Sequence, residues 1–135
     1  MNKRSTLLAL VLVLAVSAGT ALAQMGMDKG KTLEGTLVDS KCYLMNEKNA
    51  GNDHMTPKGT MTNCGTACAK MGIPVSLLTK EGKVYSLAVP APAIADHVGK
   101  TARVTGMVKQ GSIVAMKVEV QEGNSWKEVS IATMM

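Results

Sequence analysis

The sequence predicts a mainly β domain, a small OB-like five-stranded barrel with one or two short helices and a long cysteine-bearing loop after strand one. Three observations predict it. Short runs of alternating apolar and polar residues are separated by glycine-bearing turns, the pattern of antiparallel strands. Their order is strand, strand pair, short helix, strand pair, which is that of an OB barrel with a helix between strands three and four. One long segment, 39–72, lies between the first strand and the next, and it holds all three cysteines, Cys42, Cys64 and Cys68.

The elements follow in chain order. Thr32 to Val38 alternates as a first strand. At the far end of the long segment, Asn63 is placed to cap a short helix over Cys64–Met71. Gly72 stands at its terminating position and Pro74 blocks continuation. Val75–Thr79 and Val84–Ala88 form a hairpin around Lys80-Glu81-Gly82-Lys83. Pro90-Ala91-Pro92 breaks the sheet, and residues 93–98 make a turn or two of helix ended by Gly99. Ala102–Val108 and Ser112–Val120 form a second hairpin, and Trp126–Ala132 adds a last strand. With no Phe and two Tyr in the chain, the core must come from Val, Ile, Leu, Met and Ala. No internal repeat or low-complexity segment is seen.

The N-terminus predicts export. Lys3 and Arg4 precede an apolar run from Leu7 to Val16 and then small residues ending in Ala21-Leu22-Ala23. This is the order of a cleavable signal peptide over residues 1–23, with the cut after Ala23. The run is too short for a spanning helix, which needs about 20 apolar residues. The expected location is periplasmic or secreted, with no stable membrane span after cleavage. Residues 24–31 read as a loose tail and 32–135 as one domain. Cleavage removes two of the 15 basic residues and none of the 10 acidic ones, so the net charge falls from +5 to +3. The lysines are scattered and aromatics are scarce, whereas a nucleic-acid surface clusters charge and stacks bases on aromatic rings. Nucleic acid is therefore excluded as a partner.

The chemistry-bearing residues converge on the long segment, as loops this long in compact domains tend to be functional. Cys64 and Cys68 are four apart on the expected helix and share a face, with Cβ atoms about 5–6 Å apart. That exceeds the separation of about 3.5–4.5 Å that a disulfide needs, so the two are spaced to converge on a metal instead. Met71 lies one turn further along, and Cys42 and His54 sit in the preceding loop. Sulfur donors select copper(I) or zinc(II), and imidazole suits both. Met45, Met55 and Met61 read first as adaptable packing in a chain without Phe, and second as soft copper ligands. His97 reads as a scaffold residue. Asp39 and Glu47 do not form an acid/base pair, and no Ser/His/Asp order, phosphate loop or haem motif is present, so nothing supports an enzyme.

Several of these residues also form a pattern. A strand ending in Asp39-x-x-Cys42 is followed by His54 in the loop and by Cys64-x3-Cys68. Gly72 and Pro74, the Gly82-to-Tyr85 hairpin and the Gly99-to-Gly106 strand come after. This pattern, over most of the exported part, resembles a family of small exported bacterial OB-fold-like proteins of unassigned function. The resemblance implies a fold and an export route but no activity. Members of that family often carry glycine after the first cysteine, where Tyr43 stands here.

Two principal readings of the segment follow. In the first, Cys42, Cys64 and Cys68, with His54 or Met71, bind copper(I) or zinc(II) on an exported OB-like scaffold, exchanging it with a metal donor, a metal acceptor or an envelope protein. In the second, Cys42 joins Cys64 or Cys68 in a disulfide, as exported cysteines usually do, stapling a non-catalytic binding module for a small molecule, peptide or envelope partner. Thiol redox chemistry is a third and more distant reading.

Overall fold

The structure is a computed structural model of the chain and describes residues 30–131. The expected signal peptide, most of the expected tail and the last four residues fall outside the described residues. β1 (Lys31–Asp39) begins at the end of the expected tail and is shared by two neighbours. Its first half, Lys31–Thr36, runs antiparallel to β6 (Thr101–Lys109). Its second half, Gly35–Asp39, runs antiparallel to β4 (Val75–Thr79). Gly35 is where the two partners overlap, and a Cβ there would run into the Leu78 carbonyl.

The remaining pairings close a ring. β4 pairs with β5 (Val84–Leu87), and β5 pairs in parallel with β7 (Ser112–Glu122) through Ser86 and Leu87. β7 returns to β6, which completes the order β1-β4-β5-β7-β6-β1. Four antiparallel joints and one parallel joint in this order are the OB-like arrangement expected from the sequence. β8 (Ser125–Val129) adds a sixth strand on the outside of β7.

Alternation sets the core. Ala102, Val104 and Gly106 of β6 face inward between half-buried neighbours. On β7 the buried set starts at Ile113 and Ala115 and resumes at Val118 and Val120. The change of phase is a β-bulge: Gly106 lies opposite Ala115 while Thr105 lies opposite Lys117, which leaves Met116 as the extra residue. Leu37, Val75, Leu77, Leu87 and Ile94 fill the ring with these residues. Pro90 opens α3 (Ala91–Ile94), which passes into a 3₁₀ turn at Ala95–His97 between β5 and β6, the expected helical link. This link starts two residues earlier than the sequence pattern indicated, because Pro92 is tolerated in a first helical turn.

The connection from β1 to β4 is not an open loop. Asp39 ends the strand and caps α1 (Ser40–Met45). A small hairpin follows, β2 (His54–Thr56) with β3 (Gly59–Met61), and then α2 (Cys64–Lys70), which packs on α3 and the 3₁₀ turn. Asn63 occupies the expected N-cap position of α2, but its backbone is left-handed and its side chain makes no capping bond. Its Oδ1 accepts instead from Asn52 Nδ2 at 3.0 Å, so the contact that fixes α2 is long-range. Among the described residues no helix is long and apolar enough to cross a membrane.

The crowding at Gly35 sets a measurable dependence. Gly35→Ala should lower the urea unfolding free energy by about 1–3 kcal/mol, the usual cost of forcing an extra carbon into packed structure. Gly51→Ala, where an added Cβ meets nothing within 4 Å, should change it by less than about 0.5 kcal/mol.

Candidate metal centre

Asp39 positions the first candidate donor, Cys42. Its side-chain Oδ1 accepts from the backbone N–H groups of Lys41 at 2.9 Å and Cys42 at 3.2 Å, which starts α1 and fixes Cys42 in its first turn. The second carboxylate oxygen, Oδ2, is buried and has no hydrogen-bond partner, although Asp39 is fully buried.

His54 comes from β2. It is also fully buried, and its Nε2 lies 3.1 Å from the Gly51 carbonyl. A carbonyl can only accept, so Nε2 carries the proton and Nδ1 keeps a free lone pair. That Nδ1 is buried without a partner. Asn49, also buried, ties the two walls of the site together. Its Oδ1 accepts from Met55 N at 2.8 Å, and its Nδ2 donates to the Cys42 carbonyl at 3.4 Å.

α2 brings Cys64 and Cys68, and Asn52 docks it. Asn52 Oδ1 accepts from Thr66 N at 2.7 Å and from Thr66 Oγ1 at 3.0 Å, while the Asn52 carbonyl accepts from Gly65 N at 2.9 Å. Thr66 Oγ1 also lies 3.1 Å from the Ala95 carbonyl, which anchors the helix to the 3₁₀ turn. Gly65 has to be glycine at this approach. A Cβ would lie 2.6 Å from Val98 Cγ1 and 3.4 Å from His54 Nε2.

The donors fall into two overlapping groups. Cys42, His54 and Cys64 offer ligand atoms that all lie within 4.8 Å of one another, and so do Asp39, Cys42 and Cys68. Cys42 belongs to both. Bond lengths of about 2.3 Å to sulfur and 2.0–2.1 Å to nitrogen put tetrahedral ligands about 3.5–3.8 Å apart, so drawing in by about 1.3 Å at most closes either group on an ion. All three cysteines are free thiols and half-buried.

The Cys42 and Cys68 thiols are held in their protonated form. Burial pushes the Cys42 thiol up, and the Asp39 carboxylate and Cys64 add to the shift, while a hydrogen bond with Cys68 opposes it. Cys68 is pushed up to about 12, first by burial and then by the neighbouring Asp39 carboxylate. This is the opposite of an activated redox thiolate at either residue.

Of the five residues the sequence singled out, four are brought together. Met71 is not buried with them. It is the C-cap residue of α2, and 76% exposed. Met45, Met55 and Met61, read first as packing, are 77%, 56% and 54% exposed and do not fill the core. The ring is small enough for Val, Ile, Leu and Ala to fill it. His97 is half-buried in the 3₁₀ turn, with its pKa lowered by burial and by Lys100. Asp39 was passed over as a donor, because it was weighed only as half of an acid/base pair. Its place three residues before Cys42 was the available signal. Comparison of the chain with protein-family models, with curated proteins and with solved structures finds no match.

The raised thiols set a pH dependence. Groups whose folded pKa exceeds the unfolded value of 9.0 stabilise the fold fully below that pH and lose the effect as pH rises toward about 12. Urea unfolding of the reduced, metal-free protein should therefore show lower stability at pH 10.5 than at pH 8. Cys68→Ser should flatten that slope.

Proposed function

We propose that this chain is an exported protein that binds a soft metal ion, copper or zinc, through Cys42, Cys64, Cys68 and His54, with Asp39 as a fifth donor. The observation that carries the proposal is a pair of unpartnered buried atoms. His54 Nδ1 and Asp39 Oδ2 are both buried and without hydrogen bonds, and each of the two ligand groups contains one of these residues. Burying a polar atom without a partner costs about 1–3 kcal/mol, and a cation bound in either group would repay that for the residue it engages. Thiolate and imidazole donors are those that copper(I) and zinc(II) select. Asp39, Cys42, His54, Cys64 and Cys68 are also the residues on which the chain resembles the exported family, so the pattern in the sequence and the cluster in space coincide. The exchange partner is a metal donor or acceptor, such as another envelope protein.

Metal titration of the reduced protein against a chelator of known affinity tests this. Cys64→Ser/Cys68→Ser should bind Cu(I) and Zn(II) more weakly by more than about 100-fold, beyond the range typical for losing an outer-shell partner. Cys42→Ser should do at least as much damage alone, since it removes the donor common to both groups. Wild-type affinity in the double variant would end the proposal.

Binding should also release protons, because the ion must displace them from thiols that burial keeps protonated at neutral pH. Zinc titration at pH 7 in weakly buffered indicator dye should report at least about one proton per ion, and the affinity should fall as the pH is lowered.

A second reading rests on the position of Cys42. Its sulfur lies within 4.8 Å of a ligand atom of both Cys64 and Cys68, so oxidation could join it to either and staple the segment as a binding module. An intact mass two hydrogens lower and free of metal, in protein isolated without reductant or chelator, would favour the staple. A mass raised by one metal ion with three intact thiols favours the metal centre.

A further inference from the structure

The cluster accepts copper or zinc by its donors alone, but the space beside it distinguishes the two. A cavity of about 440 Å³ opens next to the cluster, lined by Cys42, His54, Met45, Met55, Asn49 and Pro57 among others. We propose that this cavity is a loading vestibule for Cu(I), in which the Met45 and Met55 thioethers take up the ion and pass it to Cys42 and His54. The inference rests on the metal-binding reading above and deepens it by naming the cargo.

Each methionine is tied by local structure to one of the ligands behind it. Met45 lies three residues after Cys42 on α1, the spacing that puts two side chains on one helix face. Met55 follows His54 directly in β2, and both line the cavity, the histidine buried and the methionine exposed. Asn49 holds the two walls in register through its bonds to Met55 N and the Cys42 carbonyl. The vestibule therefore has a soft outer rim, exposed to solvent, and an inner end made of a thiol and an imidazole.

Neither methionine has a packing role to explain it. Apolar side chains normally gain by burial, yet Met45 and Met55 stay 77% and 56% exposed beside the cluster. A thioether is neutral and soft, so it binds Cu(I) and is a poor ligand for Zn(II). Weak neutral donors outside and stronger thiolate and imidazole donors inside make transfer inward favourable for Cu(I). For Zn(II) the rim offers nothing, since that ion is served by the inner donors alone.

The test follows Cu(I) uptake by the reduced full protein under inert gas, with the metal supplied as its bicinchoninate complex. Stopped-flow absorbance gives the loading rate, and competition at equilibrium gives the affinity. Met45→Leu/Met55→Leu, a near-isosteric change at exposed positions, should slow Cu(I) loading by about tenfold or more, the scale of losing a tuning partner at a metal site. Equilibrium affinity for Cu(I) and the rate of Zn(II) loading should be unchanged. Met107→Leu/Met116→Leu, at exposed methionines of the β6–β7 hairpin, should have no effect. A smaller change in loading rate with intact affinity overturns the vestibule and leaves the metal centre standing. Wild-type protein that takes up Zn(II) but not Cu(I) also overturns it. Protein that binds neither ion removes the metal centre, and the vestibule with it.

Discussion

The candidate site depends on how Asp39 ends β1. The strand delivers the residue fully buried, paired opposite Val75, and one carboxylate oxygen then starts α1 by accepting from Lys41 and Cys42. An alanine there would leave the first turn of α1 uncapped and Cys42 less firmly placed. The same carboxylate disfavours ionisation of Cys42 and Cys68 and leaves its other oxygen unsatisfied among them. One buried charge thus joins the scaffold to the chemistry. Its burial is costly, and it persists because hydrogen bonds satisfy half of it.

Around that residue the structure divides the work. The closed ring supplies rigidity, since only one of its five joints is parallel and its interior is filled by branched aliphatic side chains. The segment outside the ring carries the candidate donors; amide side chains hold much of it in shape, and Ala69 of α2 anchors it in the core. Asn49 bridges α1 and β2, and Asn52 bridges the residues before β2 to α2. Asp53 accepts from the Asn63 backbone at 2.8 Å, which favours the left-handed turn into α2. A polar framework of this kind fits a region too short of large apolar residues to build a core of its own.

Much of the ring was legible in the sequence because alternation and turn glycines are local signals. Val75–Thr79 and the Gly82 turn are read directly from the pattern. The bulge at Met116 was not, since a single inserted residue shifts the inward phase without changing composition. α1 was missed for a related reason: six residues are too few to show a helical period, and the Asp39 cap was its only mark. Asn63 satisfied a capping pattern, yet Asn52, eleven residues away, holds its side chain. The cysteines and His54 stood out by type and clustering, and their grouping follows from folds in the chain that local propensity does not encode. The exposure of Met45, Met55 and Met61 was not legible, because a chain without Phe has no composition signal that tells a packing methionine from an exposed one.

The two ends of the inserted segment are themselves neighbours. Ser40 N donates to the Pro74 carbonyl at 3.1 Å, one step beyond the Asp39–Val75 pair, so residues 40–74 leave the ring and return to it at a single point. In topological terms the segment is a pendant, and a tight turn could replace it without changing any pairing in the ring. The strand pairing therefore does not depend on this segment, while Ala69 of α2 still fills part of the core beneath it. Closing a flexible excursion of this size costs entropy that grows only with the logarithm of its length. An ion or covalent link gripping Cys42 near one end and Cys64 or Cys68 near the other would shorten the free span from inside, so occupancy of the pendant would be felt as stiffness rather than as a change of fold.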